Sequence, residues 1–398
     1  MTTLADRWGI HPSQSWLHRR QPEHPVSFDE EHGTWDVYGY AEAVEILGDH
    51  KRFSSDFSTV FPGMADESQS AGNILQMDPP DHRKLRTLVS HAFTPKMVAD
   101  LEPRIAELTG ELLDNVAGRD EFDLVTELAY PLPVIVIAEL LGVPGSDREL
   151  FRKWADLLFT DPEPLSLNDE DGEQMRRFEK QQEELQPMLD YLHAHAAERR
   201  RHPREDLLSK LVQAEVDGEQ LTDLQVVNFA NILLLAGHIT TTMLLGNTVL
   251  CLDGNPDQAE RVRADRRLVP SAIEESLRLL SPFAQVARVT TTEVELDGRK
   301  IPPNQVLMVW LSAANHDVRQ FDRPDVFDPA RDPNPHLAFG RGVHFCLGAP
   351  LARLEGRIAM NVLLDRFPTL RTDPANPPSF MVAPSTLGVR HLPLRTQA

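Results

Sequence analysis

Phe339-Gly340-Arg341-Gly342-Val343-His344-Phe345-Cys346-Leu347-Gly348 is the stretch on which the reading of this chain turns. Three glycines surround one cysteine, and an apolar, helix-prone run from Ala349 to Leu364 follows directly. A thiol so placed lies near a helix N-terminus, where unpaired N–H groups and the helix dipole favour the thiolate. Gly340, Gly342 and Gly348 permit tight turns and a close approach of backbone to a flat ligand. The rest of the chain tests whether that thiol has a task.

The composition describes an ordinary globular protein with ample material for a core: 398 residues, 41% hydrophobic and 25% charged. A formal charge of -21 argues against a general nucleic-acid binder, which would carry a basic face. The two cysteines, Cys251 and Cys346, are too few for a disulfide framework and suit a reducing compartment. Met1 to Ile10 has no apolar segment of the signal-peptide kind. The long apolar stretch Val226 to Leu252 contains Asn228, Asn231, His238, Thr240, Thr241, Thr242 and Asn247, too polar a set for a lipid-facing span. It reads as a buried core helix, and the expected location is the cytoplasm, away from any membrane.

Along the chain, short strands are expected around Thr34 to Tyr38 and a helix through Ala41 to Leu47. Val60 to Met77, rich in Gly, Ser, Asp and Pro, reads as a long loop. Asp78-Pro79-Pro80-Asp81-His82 starts a helix on which His82 and Arg86 share a face. Pro103 to Leu158 is helical in pattern, punctuated by Pro131, Pro133 and Gly142-Val143-Pro144. Residues 160–182 are acidic and poor in apolar groups, resembling a surface excursion, and helical periodicity resumes from Met188 to Arg199. A polar loop then leads to Thr222, which with Gln225 forms a capping box for the long helix of about 222–252. Pro270 to Leu280 is a further helix. Strand-like sequence clusters at about 285–310 and 380–395, separated by a Pro- and Asp-rich meander from Asp317 to Pro335. The expected fold class is mainly α with a small antiparallel β portion, in one domain over 1–398.

Cys346 taken alone has several readings. Most free cysteines are small buried hydrophobes. Structural zinc lacks a second nearby cysteine, and covalent c-type haem attachment lacks Cys-x-x-Cys-His. A nucleophile paired with His344 and an axial ligand to haem iron both remain open. The context favours the last. The pattern F-G-x-G-x-H-x-C-x-G over Phe339 to Gly348 resembles the haem-binding loop of cytochromes P450. Glu275-Ser276-Leu277-Arg278 is similar to that family's E-x-x-R motif. Ala236-Gly237-His238-Ile239-Thr240-Thr241 is similar to its oxygen-activation motif, and Asp78 to Arg86 to its haem-flanking helix. The four stretches occur in the family's order and cover nearly the whole chain, which resembles the soluble bacterial type.

The resemblance implies the P450 fold, haem b as cofactor, and a role for each matching position. Cys346 would be the iron ligand, its thiolate donating electron density that favours O–O cleavage. Phe339 would shield the sulfur, with Gly340, Gly348 and Ala236 also at the haem. Glu275 and Arg278, completed by Arg331, would form a buried ion-pair triad locking the loop. His82, Arg86, Arg288 and His344 would bind the two propionates. Thr240, with Thr241, would hydrogen-bond oxygen and position a water. Ile239 departs from the family, which usually has an acid there, so proton delivery is expected to use waters, His238 or a polar group on the substrate. Substrate contacts are expected from the loop Val60 to Met77, from around Leu157 to Phe178, from Leu234 and Leu235, from Phe283 to Val286 and from Met381 to Leu387, with Leu75, Phe283, Val286 and Val382 as named candidates in these stretches. Their apolar character suits a hydrophobic organic molecule.

The implied reaction inserts one atom of O2 into a C–H or C=C bond, as in hydroxylation or epoxidation of a secondary metabolite. No flavin or iron–sulfur module is visible, so NAD(P)H electrons are expected from a separate ferredoxin and ferredoxin reductase. Because of Ile239, a peroxide-using, coupling or desaturating haem–thiolate enzyme is the alternative. A non-catalytic haem or ligand-binding protein is the rival from another class.

Overall fold

The computed structural model describes residues 3–61, 71–158, 167, 173–216, 218–383 and 385–396. Strands β1 (Val26–Asp29) and β2 (Thr34–Val37) form a hairpin that leads into helix α1 (Tyr40–Gly48) and the short strand β3 (Phe53–Ser54). Helix α2 (Asp81–Ala92) begins directly after Pro79-Pro80, as its sequence predicts, and α3 (Glu102–Asp114) follows. Pro131 and Pro133 do not break a helix. They stand in the first turn of α4 (Pro131–Leu140), where no intrahelical N–H is needed.

Helices α5 (Arg148–Leu158) and α6 (Glu173–Arg201) come next. The expected acidic excursion over 160–182 is therefore corrected in its second half: residues 173–182 are helical, while 159–166 and 168–172 lie outside the described residues. A polar segment can hold a helix when side chains four apart pair, as Arg177 and Glu173 do at 2.6 Å. The polar loop before Thr222 likewise contains an unforeseen helix, α7 (Leu207–Gln213), capped by the Asp206 carboxylate, which accepts from Ser209 N at 2.7 Å.

Helix α8 (Asp223–Gly254) is the axis of the fold. Its N-terminus carries the expected capping box: Gln225 N donates to Thr222 Oγ1 at 3.2 Å and Thr222 N to Gln225 Oε1 at 3.0 Å. By length and composition α8 could cross a bilayer. It instead packs against α4, α6, α9 (Val269–Leu279) and α10 (Ala349–Arg366), and its side chains from Met243 to Leu252 are buried.

The β portion is small and mixed. Strands β5 (Val286–Thr290) and β6 (Val306–Val309) join the first hairpin in a sheet of order β1-β2-β6-β5-β3. The β5–β6 pair is antiparallel, with Arg288 opposite Leu307, but β6 runs parallel to β2, with Leu307 opposite Trp35. The expected small antiparallel β portion is present, with the β2–β6 pair as a parallel exception: these strands lie far apart in the chain and no short turn dictates their direction. A missed strand, β4 (Glu121–Asp123), pairs with Pro393–Arg395, and Val382 lies in no strand.

Candidate functional site

Between α8, α2, β5 and the Cys346 loop lies a cavity of about 510 Å³ with a mostly apolar lining. Helix α8 presents one face to it, with Phe229, Leu233, Ala236, Thr240 and Leu244 at spacings of three and four. The two threonine hydroxyls bond back along the helix, Thr240 Oγ1 to Ala236 O at 2.7 Å and Thr241 Oγ1 to Gly237 O at 2.8 Å. Gly237 lets α8 approach α4 closely, since a Cβ there would fall 2.4 Å from Ile137 Cδ1.

Helix phase also sorts the residues that the sequence could not. Leu234 is fully buried in the core and Leu235 is exposed, so neither lines the cavity; Leu233 and Ile232 do. Ile239 packs partly buried against the core and also does not line it. His238 turns away, its Nδ1 pairing with Leu234 O at 3.2 Å and its ring set edge-on to Tyr130. Val382 is 62% exposed and lines nothing here, whereas Leu75, Phe283 and Val286 do face the cavity. Residues 62–70 of the expected substrate loop lie outside the described residues.

The cysteine loop closes the opposite wall. Phe339, Gly340, Cys346 and Gly348 all line the cavity, and Cys346 N donates to Phe339 O at 2.9 Å. Gly342 sits at φ 72, and a Cβ there would lie 2.3 Å from the Leu47 carbonyl oxygen. Only glycine allows the loop to rest on α1 in this way. Burial pushes the Cys346 thiol above its ordinary range, outweighing the Gly348 and Ala349 amides and the Arg86 and Arg353 charges that pull it down. The two amides at the helix terminus favour the thiolate, as the sequence suggests, while enclosure opposes it.

One edge of the cavity is basic. His82, Arg86, Arg288 and His344 converge there, the two imidazoles 4.3 Å apart between ring centres. Burial pushes the Arg288 guanidinium down to about 10, and it donates to its neighbour's carbonyl, Ala287 O, at 2.7 Å. Burial, with the charge of Arg288 next, holds His344 down near 3, and His344 Nε2 pairs with Ser55 Oγ at 3.0 Å. The buried Nε2 of His82 has no partner among the described residues. Arg86 donates to the carbonyls of Val343 at 3.1 Å and Phe345 at 2.6 Å, tying α2 to the cysteine loop.

Beneath the loop the expected triad is assembled. Arg278 donates through Nε and Nη2 to Glu275 at 2.9 and 2.8 Å, and Arg331 Nε reaches the same carboxylate at 3.0 Å. Asp328 N and Asn334 Nδ2 complete the acceptor's partners, while Arg278 also holds the carbonyls of Asn315 and Pro324.

One buried polar lining residue escaped the sequence reading: Glu355 on α10, 1% exposed, a lone acid among Leu351, Leu354, Ile358 and Ala359. Gln285, 7% exposed and just before β5, lies in the expected contact stretch Phe283 to Val286 and does line the cavity.

A flat group with two carboxylates and a thiolate-seeking metal fits this cavity. The orphaned His82 nitrogen and the buried Arg288 guanidinium, which has no ion pair among the described residues and only the more distant Asp78 charge to offset it, suit anionic acceptors at one edge, and the Cys346 sulfur in the wall suits a metal. Fold and cavity together define a haem–thiolate pocket protein. Residues 4–395 match the family model for cytochrome P450, so the chain belongs to the cytochrome P450 family. Cyclomarin C epoxidase CymV of Salinispora arenicola is 43% identical over 95% of this chain and 94% of its own. The solved structure of HmtT, involved in himastatin biosynthesis, superimposes with a TM-score of 0.91 at 59% identity, covering 100% of both chains. HmtN, a post-tailoring hydroxylase of the same biosynthesis, gives 0.88 at 56% identity, again over 100% of both. The protein is a haem b monooxygenase that acts on a small molecule with O2.

Proposed function

We propose that this monooxygenase hydroxylates or epoxidises a hydrophobic secondary metabolite in the cytoplasm, with Cys346 as the axial iron ligand. The observation that carries the ligand assignment is the position of Cys346 in the cavity wall, with a buried basic edge in the same cavity. His82, Arg86, Arg288 and His344 hold the two propionates in this reading, with Arg86 also fixing the loop through the Val343 and Phe345 carbonyls. When bound, the haem supplies oxidising chemistry on O2, which no protein side chain offers.

The chain's own residues bind, orient and exclude water. Apolar side chains from α8, with Leu75, Phe283 and Val286, desolvate and orient the substrate. The Thr240 hydroxyl proton is engaged by Ala236 O, which leaves its lone pairs free to accept from a water and hold it in place. Electrons come from a separate ferredoxin and its reductase, a reading supported by the four motifs that match the soluble bacterial type. A CO-difference spectrum of the reduced protein tests the ligand: Cys346→Ser is expected to abolish the thiolate-type Soret band. A band that survives the substitution sinks the assignment.

One observation favours a second reading. The α8 face that lines the cavity carries two hydroxyls and no ionisable side chain, with Ile239 at the position where the family usually has an acid. Peroxide-driven turnover is then favoured over reductase-driven turnover. Product formation measured with each oxidant separately decides it: reductase-driven rates well above peroxide-driven ones remove this reading.

A further inference from the structure

The sulfur side of the cavity is backed by a charged cluster that the reading above leaves without a role. The Phe339 carbonyl accepts from Cys346 N, so the position of this residue helps to set the surroundings of the sulfur. Its ring carries a cation: the Arg353 guanidinium carbon lies 4.5 Å from the ring centre. Arg353 is on α10, and its side chain is gripped by Glu274 of α9. Arg353 Nε donates to Oε1 at 2.7 Å and Nη2 to Oε2 at 2.8 Å, a parallel two-bond fork. Glu274 also pairs with His336 Nε2 at 3.0 Å, and the His336 ring stands 6.1 Å from Phe339. Three segments far apart in the chain thus converge to hold one guanidinium on one ring.

Electrostatics connect this cluster to the thiol. Burial opposes ionisation of Glu274, yet hydrogen bonds from Arg353 and His336 hold it down to about 2, so the carboxylate is charged at neutral pH. The Arg353 guanidinium, held on the Phe339 ring, and Cys346, whose N–H donates to Phe339 O at 2.9 Å, share one residue between them, so the fixed charge stands on the sulfur side of the cavity. The Arg353 and Glu274 side chains are 40% and 28% exposed, so solvent weakens this coupling without removing it.

We propose that Glu274 and Arg353 are a positioning pair that sets the electrostatics at the Cys346 sulfur, and through it the reduction potential of the haem iron. The proposal rests on the reading of Cys346 as the iron ligand. A positive charge fixed near the sulfur disfavours the more positive, oxidised iron and raises the potential. Loss of the Arg353 charge lowers it. Loss of the Glu274 charge leaves Arg353 uncompensated and raises it. A purely structural pair would not produce opposite signs.

The test uses the full-length, haem-loaded protein and its Arg353→Met, Arg353→Lys and Glu274→Gln variants. Midpoint potentials are measured by spectroelectrochemical titration, with a CO-difference spectrum of each. The expected result is a negative shift for Arg353→Met, a positive shift for Glu274→Gln and a value close to the parent for Arg353→Lys, all with the thiolate-type band intact. Unchanged potentials, or shifts of one sign in the Met and Gln variants, overturn the proposal. If Arg353→Met fails to retain haem, Glu274→Gln, which preserves side-chain volume, decides on its own: no positive shift overturns the pair. A parent protein without the thiolate-type band would instead fail the ligand reading.

Discussion

Glu355 is 1% exposed, and its Oε2 atom has no hydrogen-bond partner among the described residues. Desolvation raises its carboxyl to about 8, with no charged neighbour opposing the shift. The folded protein therefore holds a proton that the unfolded chain releases above the usual value of 4.5. Native protein binds more protons than unfolded protein between those values, so stability falls as pH rises from about 4.5 to about 8. Glu355→Gln is neutral throughout and removes this fall, a difference of roughly a few kcal/mol by pH 8. Thermal unfolding of both proteins across this range checks it. A gap between variant and parent that does not grow with pH would overturn the assignment of a protonated Glu355. At the same scale, the helix-terminal amides expected to favour the Cys346 thiolate are present, and enclosure acts against them.

At the scale of elements, α9 organises the cysteine-loop side of the molecule. Its Glu275 is fully buried and accepts from two arginines, a backbone amide and Asn334. These partners join α9 to the meander after Asn315, which in turn supports the loop through Leu337 N and Asn315 Oδ1 at 2.7 Å. Removing one member of such a network strands the others, so Glu275→Ala is expected to cost about 3–5 kcal/mol. Urea denaturation measures this, and a loss below about 1 kcal/mol would mean that the triad is not a lock. Helix α8 illustrates how far element-scale patterns could be read. Its start was legible because Thr222 and Gln225 are local partners. Its cavity face was not, since the apolar run Ile232 to Leu235 is hydrophobic on every side. Only packing decides that Leu233 faces the cavity while Leu234 enters the core.

For the whole molecule, four short motifs in family order were enough to name the family, the cofactor and the class of reaction, because each is a local arrangement of backbone or side-chain chemistry. Spacing alone also placed Glu275 with Arg278, and His82 with Arg86, since a helix brings residues three and four apart together. What lay beyond the sequence was every contact between distant segments. The parallel meeting of β2 and β6, the pairing of Glu121–Asp123 with Pro393–Arg395, and the grip of Glu274 on Arg353 join residues 79 to 274 positions apart. The same holds for burial: the raised Glu355 carboxyl and Cys346 thiol follow from how much water the surrounding helices exclude. By itself the sequence determined the family, its cofactor and the capped start of α8, because each rests on residues close together in the chain. The tertiary structure alone decided which side chains face the cavity and which distant charges, such as Glu274 and Arg353, come together, because packing and solvent exclusion depend on distances through space.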